Sequence, residues 1–372
     1  MTNEAVMTNK HDRARDARTL RVPGAAILVV GFALVACSGG GTAKRDSSSA
    51  KGSSTSTASR PPGGGNSAEL GGPAPGVAAV HGKALDYTPP TDSLIPDGPL
   101  GVSIRRGEAL LNRTTDSLPE YATGSLQCSS CHLNAGRTRD AAGLLGVYAR
   151  FPKYMDRTGA VIPVEDRVNY CFTRSLAGNK IPNDSREMRD IVAYLAFIST
   201  GVPTGAHVQG EGMPQMPKLV GDTTRGRPIF ATTCAMCHGA EGQGNPPAFP
   251  ALWGPKSYSI GASMAREERA ATFIRHFMPQ NKPGSLTDQQ AFDVSSFINS
   301  HPRPDSPAKE KDWPAEGVPY DVPYNTQGHK AYRPPQQLIP RRNPAGAVVP
   351  APPPVKRSVR ATSATAATEG KK

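Results

Sequence analysis

Two short motifs in the sequence combine a pair of thiols with an imidazole. Each has the form Cys-x-x-Cys-His, the first at Cys128, Cys131 and His132 and the second at Cys234, Cys237 and His238. This spacing sets two thiols one helical turn apart, where both can bond to the vinyl groups of one haem, and the adjacent histidine can reach the iron as proximal ligand. The motifs therefore predict two covalently attached haem c groups.

Redox centres and zinc sites use similar residues and are the alternatives to haem. A zinc site would need the two cysteine pairs to converge, with about four ligands on each metal. Haem is favoured because the second motif continues as Gly239-x-x-Gly242-x-Gly244, which is common after haem motifs. It is also favoured because the chain begins with a segment typical of exported proteins.

One cysteine, Cys171, is not accounted for by the haem motifs or by Cys37 at the N-terminus, although the chain has six in all. It lies in the loop of the first unit where a cytochrome c normally supplies its sixth iron ligand. A thiolate there would lower the haem potential. Met155 in the same loop is a second candidate ligand, and a buried structural cysteine is the third interpretation.

The sixth ligand of the second haem is predicted to be Met278, which precedes Pro279 at the usual position of a distal methionine. A thioether ligand raises the haem potential and suits electron transfer. Met264, His276 and Lys282 are the alternative ligands.

Helices must position each motif, and the sequence predicts them twice. Gly107 and Gly226 each stand before a haem motif and would let a second helix approach closely. A helix with an apolar stripe closes each unit, with Ser185 as the predicted N-cap of the first and a Thr287-x-x-Gln290 capping box at the start of the second. This order of elements predicts an all-α fold made of two tandem cytochrome c domains.

The chain is predicted to have six parts. They are a lipoprotein signal peptide (1–37), a flexible tether (38–84), cytochrome c domain 1 (85–200), a linker (201–221), cytochrome c domain 2 (222–305) and a Pro/Ala-rich tail (306–372). The tether and the end of the tail lack the apolar residues needed to offset the entropy of ordering and are predicted to be disordered. The aromatic residues between Trp313 and Tyr332 could place that part of the tail over the folded core.

The N-terminus predicts export. Four arginines within residues 13–21 precede an apolar run from Gly24 to Ala36, which is too short to span a bilayer comfortably. The run ends in Leu34-Val35-Ala36-Cys37, which resembles a bacterial lipobox and implies lipidation of Cys37. An ordinary signal peptide is the alternative. Both interpretations place the protein in the periplasm or cell envelope, and the lipid would anchor it to the membrane.

Charge and composition exclude one class of partner. Lysine and arginine outnumber aspartate and glutamate by 43 to 31, which gives a formal net charge of +12. Basic residues do not alternate with aromatic ones and no nucleic-acid motif is present, so no nucleic-acid partner is predicted. Most of this excess charge lies in the two terminal segments, and a basic tail is usually solvated or contacts an anionic surface.

Residues 97–305 resemble the dihaem thiosulfate dehydrogenases, which couple two thiosulfates into tetrathionate. In the first unit the resemblance is carried by Tyr154, Arg157, Gly159, Arg167, Asn169, Cys171, Arg174, Ser175, Gly178, Ser185, Glu187 and Met188. In the second unit it is carried by Leu252-Trp253-Gly254, Gly261-Ala262, Met264-Ala265, Phe297-Ile298 and His301-Pro302.

The resemblance implies roles for particular residues. The active-site haem of that family has histidine and cysteine as axial ligands, which correspond to His132 and Cys171. Arginines and a serine line the family's site, and Arg157, Arg167 and Ser175 stand at the matching offsets. One departure is Phe277, because some members have a lysine beside the distal methionine. This puts ligand exchange at the second iron in question.

The resemblance also implies an activity. Thiosulfate would be oxidised to tetrathionate at the first haem, and electrons would pass through the second haem to a small soluble or membrane-bound acceptor. A cluster of cationic residues around the first unit suits a dianionic substrate, because guanidinium groups match oxyanion edges and stay charged. The alternatives are a non-enzymatic electron carrier of a respiratory chain, an enzyme working as a tetrathionate reductase, and a subunit of a larger complex.

Overall fold

The computed structural model describes residues 83–315, 317–332 and 337–340. The predicted signal peptide with Cys37, nearly all of the tether and the end of the tail lie outside these ranges. The helices are α1 (Pro99–Asn112), α2 (Thr114–Ser117), α3 (Val164–Tyr170), α4 (Arg186–Phe197), α5 (Thr223–Ile229), α6 (Ala235–His238), α7 (Glu267–Phe277) and α8 (Asp288–Asn299). Within the described ranges, no helix combines the length and the apolar character needed to cross a membrane.

The first helical unit is built on the crossing of α1 and α4. A Cβ added to Gly107 would lie 2.0 Å from the Asp190 carbonyl oxygen, so glycine is needed for the backbones to approach this closely. The predicted N-cap is confirmed, since Ser185 Oγ accepts a hydrogen bond from the Met188 backbone N–H at 3.1 Å. Tyr194 on α4 is fully buried in the core of this unit.

The second helical unit repeats the crossing with α5 and α8. A Cβ on Gly226 would lie 2.0 Å from the Asp293 carbonyl oxygen. The predicted capping box is present, because Thr287 and Gln290 each accept the other's backbone N–H. The ring of Phe230 packs between Trp253 and Phe297 in the core, with centroids 5.0 and 5.4 Å away. The glycine pattern that occurs twice in the sequence therefore corresponds to the same helix crossing in both units.

An ion pair accompanies each helix crossing. Arg106, next to Gly107, donates from Nε to Asp190 on α4 at 2.8 Å. Arg225, next to Gly226, donates from Nε to Asp293 on α8, also at 2.8 Å. Both carboxylates are nearly fully buried, so each arginine compensates a charge that would otherwise be costly.

The prediction of an all-α fold holds for the two helical units, but two small sheets are also present. Strands β1 (Lys153–Met155) and β2 (Ala160–Ile162) form an antiparallel hairpin, and β3 (Arg303–Pro304) pairs in parallel with β4 (Leu338–Ile339). Strands of two or three residues are too short to show alternation of polar and apolar residues, which is why the sequence did not predict them. The second sheet ties the tail to the end of the second unit.

Two π-helical turns interrupt the helical pattern next to the cysteines. One covers Cys171–Ser175 directly after α3, and the other covers Phe230–Cys234 between α5 and α6. Turns of this kind are rare and occur frequently at functional sites. Cys171 begins the first turn and Cys234 ends the second.

Candidate haem and anion sites

The first haem motif is held by hydrogen bonds to its backbone and to its histidine. The Cys128 backbone N–H donates to Thr114 Oγ at 3.0 Å. His132 Nδ1 lies 2.6 Å from the Ala142 carbonyl oxygen, to which it donates. This bond fixes the orientation of the imidazole and leaves Nε2 as the nitrogen that can bind iron.

The second motif has the same arrangement. Cys234 ends a π-helical turn and His238 ends α6. His238 Nδ1 lies 3.0 Å from the Pro250 carbonyl oxygen. Burial lowers the pKa of His238, which favours the neutral imidazole needed for a metal ligand.

A cavity lies beside each motif. The cavity of the second unit measures about 660 Å³, which is within the usual range for a bound cofactor. It is lined by Cys234, Cys237, His238, Phe273, Ile274, Met278, Val294 and Ile298. The cavity of the first unit measures about 110 Å³ and is lined by Cys128, Cys131, His132, Leu144, Val147, Cys171, Phe172 and Leu195. Apolar walls with cysteine and histidine on one side suit a haem group.

Cys171 lines the first cavity together with His132 and has basic surroundings. Arg167 Nη1 donates to Cys171 Sγ at 3.0 Å. Burial raises the pKa of this thiol, but Arg167 and His132 lower it by more, to about 6. In contrast, burial raises the pKa of both Cys128 and Cys131 to about 12. The surroundings of Cys171 therefore favour a thiolate, which is the form that binds metals.

The position of Met278 distinguishes it from most of the alternative ligands. It follows the last residue of α7 and lines the second cavity together with His238. Met264 lines that cavity too, whereas His276 and Lys282 are not among its lining residues. Met155, the alternative ligand in the first unit, lies on β1 and does not line the first cavity.

A third, smaller cavity adjoins the first and is lined by cationic and hydroxyl groups. Arg157, Arg167 and Ser175, to which the family resemblance assigns a role in substrate binding, all line this cavity. Arg167 and Ser175 line both cavities. The remaining lining residues are Met155, Thr158, Tyr170, Arg174, Gly261 and Ser263, the last two from the second unit. We call this cavity the anion pocket.

Asp312 from the tail is bonded to two of the pocket's arginines. It accepts from Arg157 Nε at 3.0 Å and from Arg174 Nη2 at 2.7 Å. Burial raises the pKa of Asp312, but the two guanidinium groups lower it by more, so the carboxylate is charged. The sequence did not predict this residue, since 138 positions separate it from Arg174. The only signal was the aromatic stretch that begins at Trp313.

The other cations of the first unit lie in two settings. Arg137 and Arg139 pair with Asp92 and Asp86, both exposed, and do not line the cavities. The side chains of Arg150 and Lys153 are buried, and both residues line the first cavity. Burial and the neighbouring Arg150 and Arg167 lower the pKa of Lys153 to about 7.

The walls of the two haem cavities have residues in common. Leu126 and Cys131 line both the first and the second cavity. Tyr258 and Met264 line the second cavity and the space beside Cys171. One layer of side chains therefore separates the two sites.

Comparison with protein families defines the class. Residues 120–204 match the SoxA/TsdA cytochrome c domain and residues 223–302 match cytochrome c. The protein is a dihaem cytochrome c with two covalently attached haem c groups.

Similar proteins define the family within that class. The chain is 41% identical over 227 residues to the thiosulfate dehydrogenase of Allochromatium vinosum, covering 58% of this chain and 84% of that one. It is 38% identical to the thiosulfate dehydrogenase of Psychrobacter arcticus, covering 63% of this chain and 73% of that one. The chain belongs to the thiosulfate dehydrogenase family.

A solved structure supports the assignment. The thiosulfate dehydrogenase (TsdBA) of Marichromatium purpuratum is 33% identical, with a TM-score of 0.57 over 60% of this chain. The matched region spans half the length of that structure.

Proposed function

We propose that this protein oxidises thiosulfate to tetrathionate at the first haem and passes the electrons through the second haem to an external acceptor. The observation that carries the proposal is the position of Cys171. It lines one cavity together with His132, and its sulfur accepts a hydrogen bond from Arg167, which also lines the anion pocket. A redox centre and a site for a small dianion are thus adjacent.

The proposed haem attachments and iron ligands follow from the cavity walls. The first haem would be attached through Cys128 and Cys131, with His132 and Cys171 available to bind its iron. The second would be attached through Cys234 and Cys237, with His238 and Met278 available to bind its iron. The support is that each set lines a single cavity.

The reaction joins two substrate molecules and releases two electrons. Each thiosulfate loses one electron, and one S–S bond forms between their terminal sulfur atoms. The haem groups supply the one-electron acceptors. Arg157, Arg167 and Ser175 hold the oxyanion ends, so that charge repulsion between two dianions is reduced as their sulfur atoms approach. The apolar walls of the first cavity exclude water from the reacting sulfur.

Electrons are proposed to leave through the second unit. The shared wall of Leu126, Cys131, Tyr258 and Met264 gives a short path between the haem sites. Met236, between the two cysteines of the second motif, is 80% exposed. The second haem site therefore has an exposed apolar edge against which a small soluble or membrane-bound acceptor can dock.

Location follows from the N-terminal sequence. We propose that the protein is exported and is held at the membrane by a lipid on Cys37, with the 38–84 segment as its tether. The support is the basic and apolar pattern that ends in Leu34-Val35-Ala36-Cys37.

The test is thiosulfate-dependent reduction of ferricyanide by the full chain with both haems attached. Wild type is expected to turn over, and Cys171→Gly is expected to lose most of its activity while keeping its haem content. Arg139→Gln is the control, because Arg139 is an exposed partner of Asp86. If wild type shows no turnover, a dihaem electron carrier becomes the better account. If tetrathionate instead oxidises the reduced protein rapidly, the reductase direction is favoured.

A further inference from the structure

The C-terminal strap, which we define as residues 306–315 and 317–324, packs over the anion pocket. Trp313 donates its backbone N–H to the Arg157 carbonyl oxygen at 2.8 Å. The centroid of its ring lies 4.7 Å from the Arg157 guanidinium carbon. Pro314 packs so tightly on Gly159 that an added Cβ would lie 2.5 Å from its Cγ. The strap is therefore held directly against the segment that carries Arg157.

The guanidinium group of Arg157 is fixed on several sides. Its Nε donates to Asp312, and its Nη2 donates to the Gly261 carbonyl oxygen and to Tyr324 Oη, both at 2.6 Å. Tyr324 Oη in turn donates to Asp312 Oδ2 at 2.7 Å. A long side chain held this way has lost its rotamer freedom before any ligand binds.

Asp312 also sets the charge of the pocket. It is 2% exposed and takes hydrogen bonds from both Arg157 and Arg174. The charged groups that line the pocket are Arg157, Arg167 and Arg174. Three guanidinium groups against the Asp312 carboxylate and the Cys171 thiolate leave the pocket with a net positive charge, which attracts a dianion. The same carboxylate thus orients two cations and keeps them from repelling each other.

The strap also contacts the second unit. Asp321 accepts from Arg266 Nε at 2.7 Å and from the Glu268 backbone N–H at 2.9 Å, at the start of α7. Both partners are buried. The strap therefore links the arginines of the first unit to α7, the helix that Met278 directly follows.

We propose that Asp312 is a positioning residue of the anion pocket, which holds Arg157 and Arg174 in the geometry that receives a dianion. The C-terminal strap is accordingly a functional part of the first haem site, although it follows both cytochrome c domains in sequence. This inference rests on the proposed function for the identity of the dianion, thiosulfate. The arrangement of the arginines is independent of it.

The test compares Asp312→Asn with Glu310→Gln, a matched change at an exposed position of the same strap. We would measure kcat and KM for thiosulfate per haem, and the affinity for sulfate by calorimetry as a probe that does not react. In Asp312→Asn, kcat should fall at least about tenfold because the arginines lose their alignment. Sulfate affinity should rise because the pocket gains positive charge. Glu310→Gln should match wild type.

Two further variants keep the test decisive. Asp312→Glu should recover part of kcat, which a loss of packing alone would not allow. If Asp312→Asn does not fold, Tyr324→Phe removes only the hydroxyl that bridges Arg157 and Asp312, and a severalfold lower kcat is expected. Wild-type kinetics in the variants that fold, or a rise in KM with unchanged kcat, would overturn the proposal.

If thiosulfate fails to reduce wild type, the proposed function fails, and sulfate affinity then decides the role of Asp312. Identical sulfate binding in wild type and Asp312→Asn would overturn that role.

Discussion

The residues around the first haem site differ in how far the sequence could predict them. Cys171 was singled out because the haem motifs use four of the six cysteines and Cys37 belongs to the N-terminal pattern. Arg167 lies four positions before it, so α3 and the following turn bring its Nη1 within 3.0 Å of the sulfur. Asp312 lies far away in sequence and reaches the same site only through the tertiary fold. The cysteine count therefore singled out Cys171, and the family resemblance implied the role of Arg167, but neither gave any sign of Asp312.

Arg167 offers the first residue-level prediction. Replacing it with glutamine removes a charge-assisted donor to Cys171 and one cation of the anion pocket. A hydrogen bond to a charged group contributes about 1.5–3 kcal/mol, so kcat/KM for thiosulfate should fall by roughly 10- to 100-fold. Steady-state kinetics of Arg167→Gln beside Arg139→Gln would measure this. Equal losses in the two variants would show that only overall charge matters.

Among the structural elements, the helices were the most predictable part. The crossings at Gly107 and Gly226 and the caps at Ser185 and Thr287 were all signalled by residue type and spacing. The ion pairs that accompany the crossings were not, because surface arginines are common and the sequence does not show which carboxylates become buried. The β1–β2 hairpin was also missed, since its strands have only three residues each.

The glycine crossings give an element-level prediction. Gly107→Ala and Gly226→Ala each force a methyl group against backbone atoms, so the helices must separate. Such overpacking should cost about 1–3 kcal/mol of the free energy of unfolding. Denaturant unfolding would measure it, with Gly328→Ala as control, because a Cβ there meets nothing within 4 Å. Unchanged stability in Gly107→Ala and Gly226→Ala would contradict the close crossings of α1 with α4 and of α5 with α8.

At the scale of the whole molecule, the two helical units and the C-terminal strap contact one another around the first haem site. The two units share a wall between their haem cavities, and the strap returns from the second unit to the anion pocket of the first. The sequence predicted the tandem arrangement and indicated that aromatic residues of the tail cover the core. It could not show which site the tail reaches, because contacts between distant segments leave no periodic pattern.

Met278 tests the electron route through the molecule. A histidine in place of this thioether should lower the potential of the second haem, since methionine ligation raises it. In Met278→His, thiosulfate should still reduce the first haem, but transfer to ferricyanide should slow. Redox titration and stopped-flow absorbance would separate the two steps. Because His276 does not line the cavity, His276→Gln should leave the potential unchanged. A shift in His276→Gln with none in Met278→His would reassign the ligand.

The most direct test of the central claim is a product count without any external acceptor. The fully oxidised protein would be mixed anaerobically with excess thiosulfate, while haem reduction is followed by absorbance and tetrathionate is quantified. The account predicts one tetrathionate for each pair of haems reduced, because the two electrons of the coupling are held by the two haems. Haem groups that stay oxidised, or that become reduced without tetrathionate, would contradict it.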